Sequence, residues 1–205
     1  MTVKVAVLAS GRGSNFKALL ESIKSGNCDA QVRVLITNNP DAPAIAIAKQ
    51  AGIPVEIVQR KDFPDRDSMD ERIRALLDKS GAQIVVLAGY MLLIKGKKLL
   101  ESYRHRIINI HPALLPSFPG VDAQKQAFDY GAKISGLTIH FVDESLDAGP
   151  IIYQEAIDIS GCRSADETAK KILEREHEAY ARIVDSFAKG RYVVEGRHVR
   201  YVPVR

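Results

Sequence analysis

Asn109 and His111 stand one residue apart in Ile107-Ile108-Asn109-Ile110-His111-Pro112, a short apolar run. In an extended strand alternate side chains share a face, so Asn109 and His111 project together while Ile110 turns to a core. An amide donor beside an imidazole suits a reaction that builds negative charge on a carbonyl oxygen. The plainer reading is a strand-end histidine making one structural hydrogen bond, and spacing alone does not separate the two. Asp147, followed by Ala148-Gly149-Pro150, sits at a bend able to turn its carboxylate inward. Close to His111 it would orient the ring and raise its basicity, the task of a third triad member. Nothing in the linear order brings the two together. Asp143 and Glu144, earlier in the same acidic stretch, read as solvent-facing.

A second constellation, Gly11-Arg12-Gly13-Ser14-Asn15, follows an apolar strand and opens a helix. Backbone N–H groups at a helix start, with the helix dipole behind them, form an anion site. The glycines let the backbone approach a ligand, and Ser14 and Asn15 add side-chain donors. Phe16 replaces the third glycine of the dinucleotide fingerprint, and no Gly-Lys-Ser/Thr follows as in a P-loop. A tight turn with a helix N-cap accounts for the same residues. Further on, Ala169, Ile172, Leu173, Tyr180, Ile183, Val184 and Phe187 form one helical stripe, and Glu176 falls inside it. An unpaired buried carboxylate is costly, so Glu176 requires a partner, either an internal arginine or a ligand. His177 lies at the edge of the stripe.

Other residues invite less. His105, His140 and His198 stand isolated, and His140, alternating with Thr138, reads as a core residue. Arg191, Arg197, Arg200 and Arg205 read as a solvated basic edge. There is no G-x-S-x-G and no H-E-x-x-H. Cys28 and Cys162 are far apart with no C-x-x-C, so neither a redox pair nor a metal site is expected.

The elements that must position these groups follow from apolar periodicity. Strands are expected at 3–8, 32–37, 55–58, 84–88 and 107–110, and helices from Asn15, at 42–51 and at 67–79. Such alternation builds βαβ units on a parallel, Rossmann-like sheet, with Ile84–Ala88 as a central strand buried on both faces. Ligands of open α/β folds sit at the carboxyl edge of that sheet, where Asn109 and His111 fall. The second half reads as a helix at 121–130, strands at 134–142 and 151–159, a helix from about 166 to 189, and a hairpin turning at Gly196. No Pro/Gly/Ser linker separates the halves, so the 205 residues are read as one α/β domain on one continuous, mostly parallel twisted sheet.

Composition bounds the partners. With 46% hydrophobic and 26% charged residues, disorder, collagen and a disulfide scaffold are excluded. A net charge of +4 without a basic run suits small anionic ligands and not nucleic acid. The longest apolar run, Ile84–Ile94, is about half a membrane span, and no signal-peptide core is present. A cytoplasmic protein without membrane contact is expected.

Five segments, VLASGRGSN, LAGYM, NIHPALLPSFPG, HFVDESLDAGPII and EREHEAY, together resemble the phosphoribosylglycinamide formyltransferase family of purine synthesis. The resemblance runs in order along nearly the whole chain. It implies the formyltransferase fold and formyl transfer from 10-formyltetrahydrofolate, a co-substrate, to the amino group of glycinamide ribonucleotide. The family's catalytic set falls on Asn109, His111 and Asp147, its phosphate loop on Gly13, Ser14 and Asn15, and its substrate-contacting carboxylate on Glu176. Folate-contacting segments fall on Arg66, on Met91, Leu92, Leu93 and Ile94, and on Asp143, Glu144 and the residues up to Asp147. Similar proteins often carry arginine where Leu92 stands, a change that bears on folate affinity rather than on the reaction. The resemblance implies small-molecule partners and no metal, with a monomer and a homodimer both open. Residues 1–205 then form one catalytic domain, about 1–107 binding the nucleotide phosphate and about 108–205 carrying catalysis and folate. Formyltetrahydrofolate deformylase, with a domain before the core, and methionyl-tRNA formyltransferase, with one after it, are the nearest rivals. The strand immediately after Met1 and the short stretch after the last long helix lead us to expect neither addition. A non-catalytic nucleotide-binding module would need the glycine loop but not Asn109, His111 and Asp147 together.

Overall fold

The apolar runs become strands, and Ile84–Leu87 among them is buried on both faces, as its composition requires. The computed structural model describes residues 1–204. In chain order the elements are β1 (Val3–Leu8), α1 (Ser14–Lys24), β2 (Ala30–Thr37), α2 (Ala44–Gln50), β3 (Val55–Ile57) and α3 (Arg66–Ser80). They continue with β4 (Ile84–Leu87), α4 (Lys97–Ser102), β5 (Ile107–His111), α5 (Ala123–Tyr130), β6 (Ile134–Phe141), β7 (Ile151–Asp158), α6 (Ala165–Lys189), β8 (Gly190–Glu195) and β9 (His198–Pro203).

Seven strands form one sheet in the order β3-β2-β1-β4-β5-β6-β7. The first five are parallel, and β6 and β7 run antiparallel to their neighbours. Strand order reverses between β1 and β4, so the segments leaving their carboxyl ends diverge and open a crevice there. Alternation along β1 sends Val5 and Val7 to one face, packed against α1, α2, α5 and α6, and Ala6 and Leu8 to the other, packed against α3 and α4.

The second face changes character at β5. Its apolar cover reaches Ile107. Beyond that point the register pairs Asn109 with His140, His111 with Thr138, and Thr138 with Gln154, which gathers five polar side chains on one side of the sheet. Thr138 Oγ1 donates to Ala113 O at 2.7 Å and accepts from Leu115 N and Gln154 Nε2, both at 3.0 Å. These bonds fasten the Pro112–Pro119 segment across the polar face in place of a helix.

Three features depart from expectation. α4 has six residues, too few for a periodic signal. The β8–β9 hairpin is a separate two-stranded sheet and not part of a continuous one. It docks through Tyr192, whose ring lies 4.9 Å from Phe187 and 6.1 Å from Phe141 between centroids. Arg197, read as solvated, donates to Ala148 O at 3.0 Å and so ties the hairpin to the bend after Asp147. Arg205, the fourth arginine of that edge, lies outside the described residues. Among the described residues no helix is long and apolar enough to cross a membrane.

Candidate active site

β5 carries Asn109 to the level of Leu87, the last residue of β4, which in turn pairs with Leu8 of β1. Asn109 and His111 therefore point over the carboxyl edge of the parallel strands, while Ile110 packs in the α1–α6 core. His111 is buried and its Nδ1 lies 3.4 Å from Asp147 Oδ2. Its Nε2 is 2.7 Å from Phe118 O. Both ring nitrogens thus face oxygen atoms, which fix the ring's orientation from two sides. Asp147 Oδ2 also accepts from Gly120 N at 2.8 Å, which fixes the carboxylate against the proline-rich segment. Asp147 and Phe118 adopt left-handed backbone angles, φ 49° and 52°. Residues held there cost free energy that surrounding packing must offset, and both touch His111.

The cluster contains a residue that sequence reasoning set aside. His140 is not isolated: its Nε2 is 3.3 Å from Asn109 Nδ2 and 3.8 Å from Asp147 Oδ1. Burial holds its basicity below that of an ordinary histidine, so the neutral ring is favoured. Nδ1 lies 2.9 Å from Phe141 O and must carry the proton, leaving Nε2 to accept from the Asn109 amide. That contact uses one amide hydrogen and aims the other away from the ring. The signal was present in outline, because His140 sits two residues from Thr138 on a strand, but only the β5–β6 register places it opposite Asn109.

A second polar group lies across the crevice. Gly13 caps α1 at φ 72°, and a Cβ there would meet Ala44 Cβ at 2.9 Å, so both the turn and the packing demand glycine. It brings no side chain to the first N–H groups of α1, which remain open to an anion. Asn15, on the first turn, donates through Nδ2 to Glu176 Oε2 at 3.0 Å. The partner of Glu176 is therefore this amide and not an arginine. Glu176 is 4% exposed, and burial pushes its carboxyl up to about 7 against the opposing hydrogen bond from Asn15. One turn later Tyr180 Oη lies 2.9 Å from Leu87 O and 3.0 Å from Ile108 O, pinning α6 beneath the ends of β4 and β5.

The segment between β4 and α4 runs beside this crevice. Met91 is exposed, Leu92 and Leu93 are half-buried, and Ile94 is in the core. Ser10 binds its start, with Ser10 N on Gly89 O at 3.0 Å and Met91 N on Ser10 Oγ at 2.8 Å. Arg66 turns inward and donates through Nη2 to Leu93 O. Asp143 is half-buried and accepts from Ser145 N at 2.9 Å, whereas Glu144 is exposed.

The architecture is that of an open α/β fold with a polar cluster at the carboxyl edge of its sheet, and comparison with known proteins gives the family. Residues 3–184 match the formyl transferase family, and the chain belongs to it. It is 41% identical over 181 residues to the phosphoribosylglycinamide formyltransferase of Bacillus subtilis, covering 88% of this chain and 92% of that protein. It is 35% identical over 187 residues to the human trifunctional purine biosynthetic protein adenosine-3, spanning 91% of this chain but 18% of that protein. In three dimensions it matches the glycinamide ribonucleotide transformylase 1 of Symbiobacterium toebii at a TM-score of 0.93 and 38% identity, over 98% of this chain and 94% of that one.

Proposed function

We propose that the protein transfers the formyl group of 10-formyltetrahydrofolate to the amino group of glycinamide ribonucleotide. The observation that carries this reading is the meeting of Asn109, His111 and Asp147 at the end of β5 in a chain of the formyl transferase family. The ribonucleotide phosphate lies on the N–H groups of Gly13, Ser14 and Asn15, with Glu176 beside them. The folate lies along Met91, Leu92, Leu93 and Ile94 and against the Asp143–Glu144 segment, with Arg66 behind. Residues 1–205 act as one catalytic unit, and the two substrates are drawn from opposite sides toward His111.

The neutral amine attacks the formyl carbon, forming a C–N bond and placing negative charge on the former carbonyl oxygen. The free amide hydrogen of Asn109 and the His111 ring donate to that oxygen, where donors matter most. Asp147 holds the ring in place through its contact with Nδ1. The amine then gives up a proton, the folate nitrogen takes one, and the old C–N bond breaks. Asp147 and water supply the path between them.

The test is direct. The protein is mixed with both substrates and formation of tetrahydrofolate is followed. Turnover that requires the ribonucleotide supports the proposal. Turnover without it indicates a deformylase, and binding without turnover indicates a nucleotide-binding module; either result overturns the proposal.

A further inference from the structure

The segment between β4 and α4 has no regular secondary structure, yet it is held at its far end by a side chain that the reaction does not use. Asp70 lies one turn after Arg66 on α3 and is fully buried. Its Oδ2 accepts from two successive backbone groups, Lys95 N and Gly96 N, both at 2.8 Å. Its Oδ1 faces Arg66 Nε at 3.8 Å, and neither of these two atoms has a hydrogen-bond partner, nor does the buried Tyr90 hydroxyl. Arg66 in turn donates to Leu93 O. Two side chains on one helix face thus grip the segment at a carbonyl and at two amides. The approach is close: a Cβ on Gly96 would come within 2.6 Å of Asp70 Cβ. Gly96 has φ −63°, so it is glycine here for space and not for its backbone angle.

We propose that Asp70 is a positioning residue for the folate half of the site, setting the shape of the Met91–Ile94 backbone through Lys95, Gly96 and Arg66. A charged carboxylate accepting two N–H groups makes bonds about twice as strong as neutral ones. Its removal leaves two inward N–H groups without partners and releases Arg66 from its ion pair, so the segment relaxes. With Leu92 supplying no charge, folate recognition depends on backbone groups whose placement Asp70 controls. The ribonucleotide side, built on α1 and α6, does not share these contacts. The inference rests on the proposed folate site.

The experiment measures kcat and both KM values for wild type, Asp70→Ala, Asp70→Asn and Gly96→Ala. Asp70→Ala is expected to raise the folate KM by about tenfold or more, with the ribonucleotide KM unchanged. Asp70→Asn keeps an acceptor oxygen for the two N–H groups and is expected to restore part of the loss. Gly96→Ala, which pushes the segment off the carboxylate, is expected to raise the folate KM selectively and decides the matter if Asp70→Ala does not fold. Equal effects on both KM values, or a fall in kcat alone, would overturn the positioning role. Wild-type protein without turnover would instead overturn the proposed function.

Discussion

Replacing Asp147 with asparagine isolates the electrostatic part of the proposed chemistry. The carboxylate is nearly buried and lies 3.4 Å from His111 Nδ1. Two unit charges at that separation, with an effective dielectric of about 20, attract by about 5 kcal/mol. The asparagine oxygen still accepts from Gly120 N, so the bend keeps its anchor, and the amide dipole retains part of the interaction with the ring. A net loss of about 3 kcal/mol in stabilising the charged imidazole follows, equivalent to a little over a hundredfold in rate. The assay is kcat of the purified variant at saturating concentrations of both substrates, with its melting temperature as the check on folding. A folded Asp147→Asn protein within tenfold of wild type would refute the argument, because the charge would then have no part in the rate-determining barrier.

Other consequences are as specific. His111→Ala removes the donor itself and is expected to lower kcat by about a hundredfold or more, measured in the same assay. Glu176 has its carboxyl raised by burial to about 7, so the folded protein holds this proton more tightly than the unfolded chain does. Its contribution to stability is fully present below the ordinary glutamate range and is lost as pH rises to about 7. Glu176→Gln is therefore expected to flatten the fall in melting temperature between pH 5 and pH 7 (about 3 kcal/mol at most) and to be more stable than wild type above it; an unchanged slope in thermal scans would contradict this. Gly13→Ala forces a left-handed residue against Ala44 and is expected to cost about 1–2 kcal/mol in denaturant unfolding while raising the ribonucleotide KM.

Much of the fold was legible because it is written in local periodicity. Val3–Leu8 is a β-branched run and reads as a strand, and Ile84–Leu87 is apolar on both faces and so reads as a central one. The amphipathic stripe of α6 exposed Glu176 as an anomaly before any partner was known. α4 escaped because six residues carry too little pattern, and the hairpin was assigned to the main sheet because a strand pattern does not state which edge it joins. His140 was set aside for a similar reason. A histidine on a strand reads alike whether it faces a core or the Asn109 amide, and the difference lies in the neighbouring strand.

The sequence by itself determined which groups are available, an amide, an imidazole, a carboxylate and a glycine loop, since these are properties of residue types at short spacing. Only the tertiary structure decided how they meet. His140 and Asp147 lie 29 and 36 residues beyond His111, Glu176 lies 161 beyond Asn15, and Lys95 and Gly96 lie 25 and 26 beyond Asp70. Those encounters depend on the antiparallel register of β6 on β5, on α6 crossing beneath the crevice, and on α3 reaching back to the segment after β4. The physical reason is that hydrogen bonds and burial act over a few ångströms in space, whatever the distance along the chain.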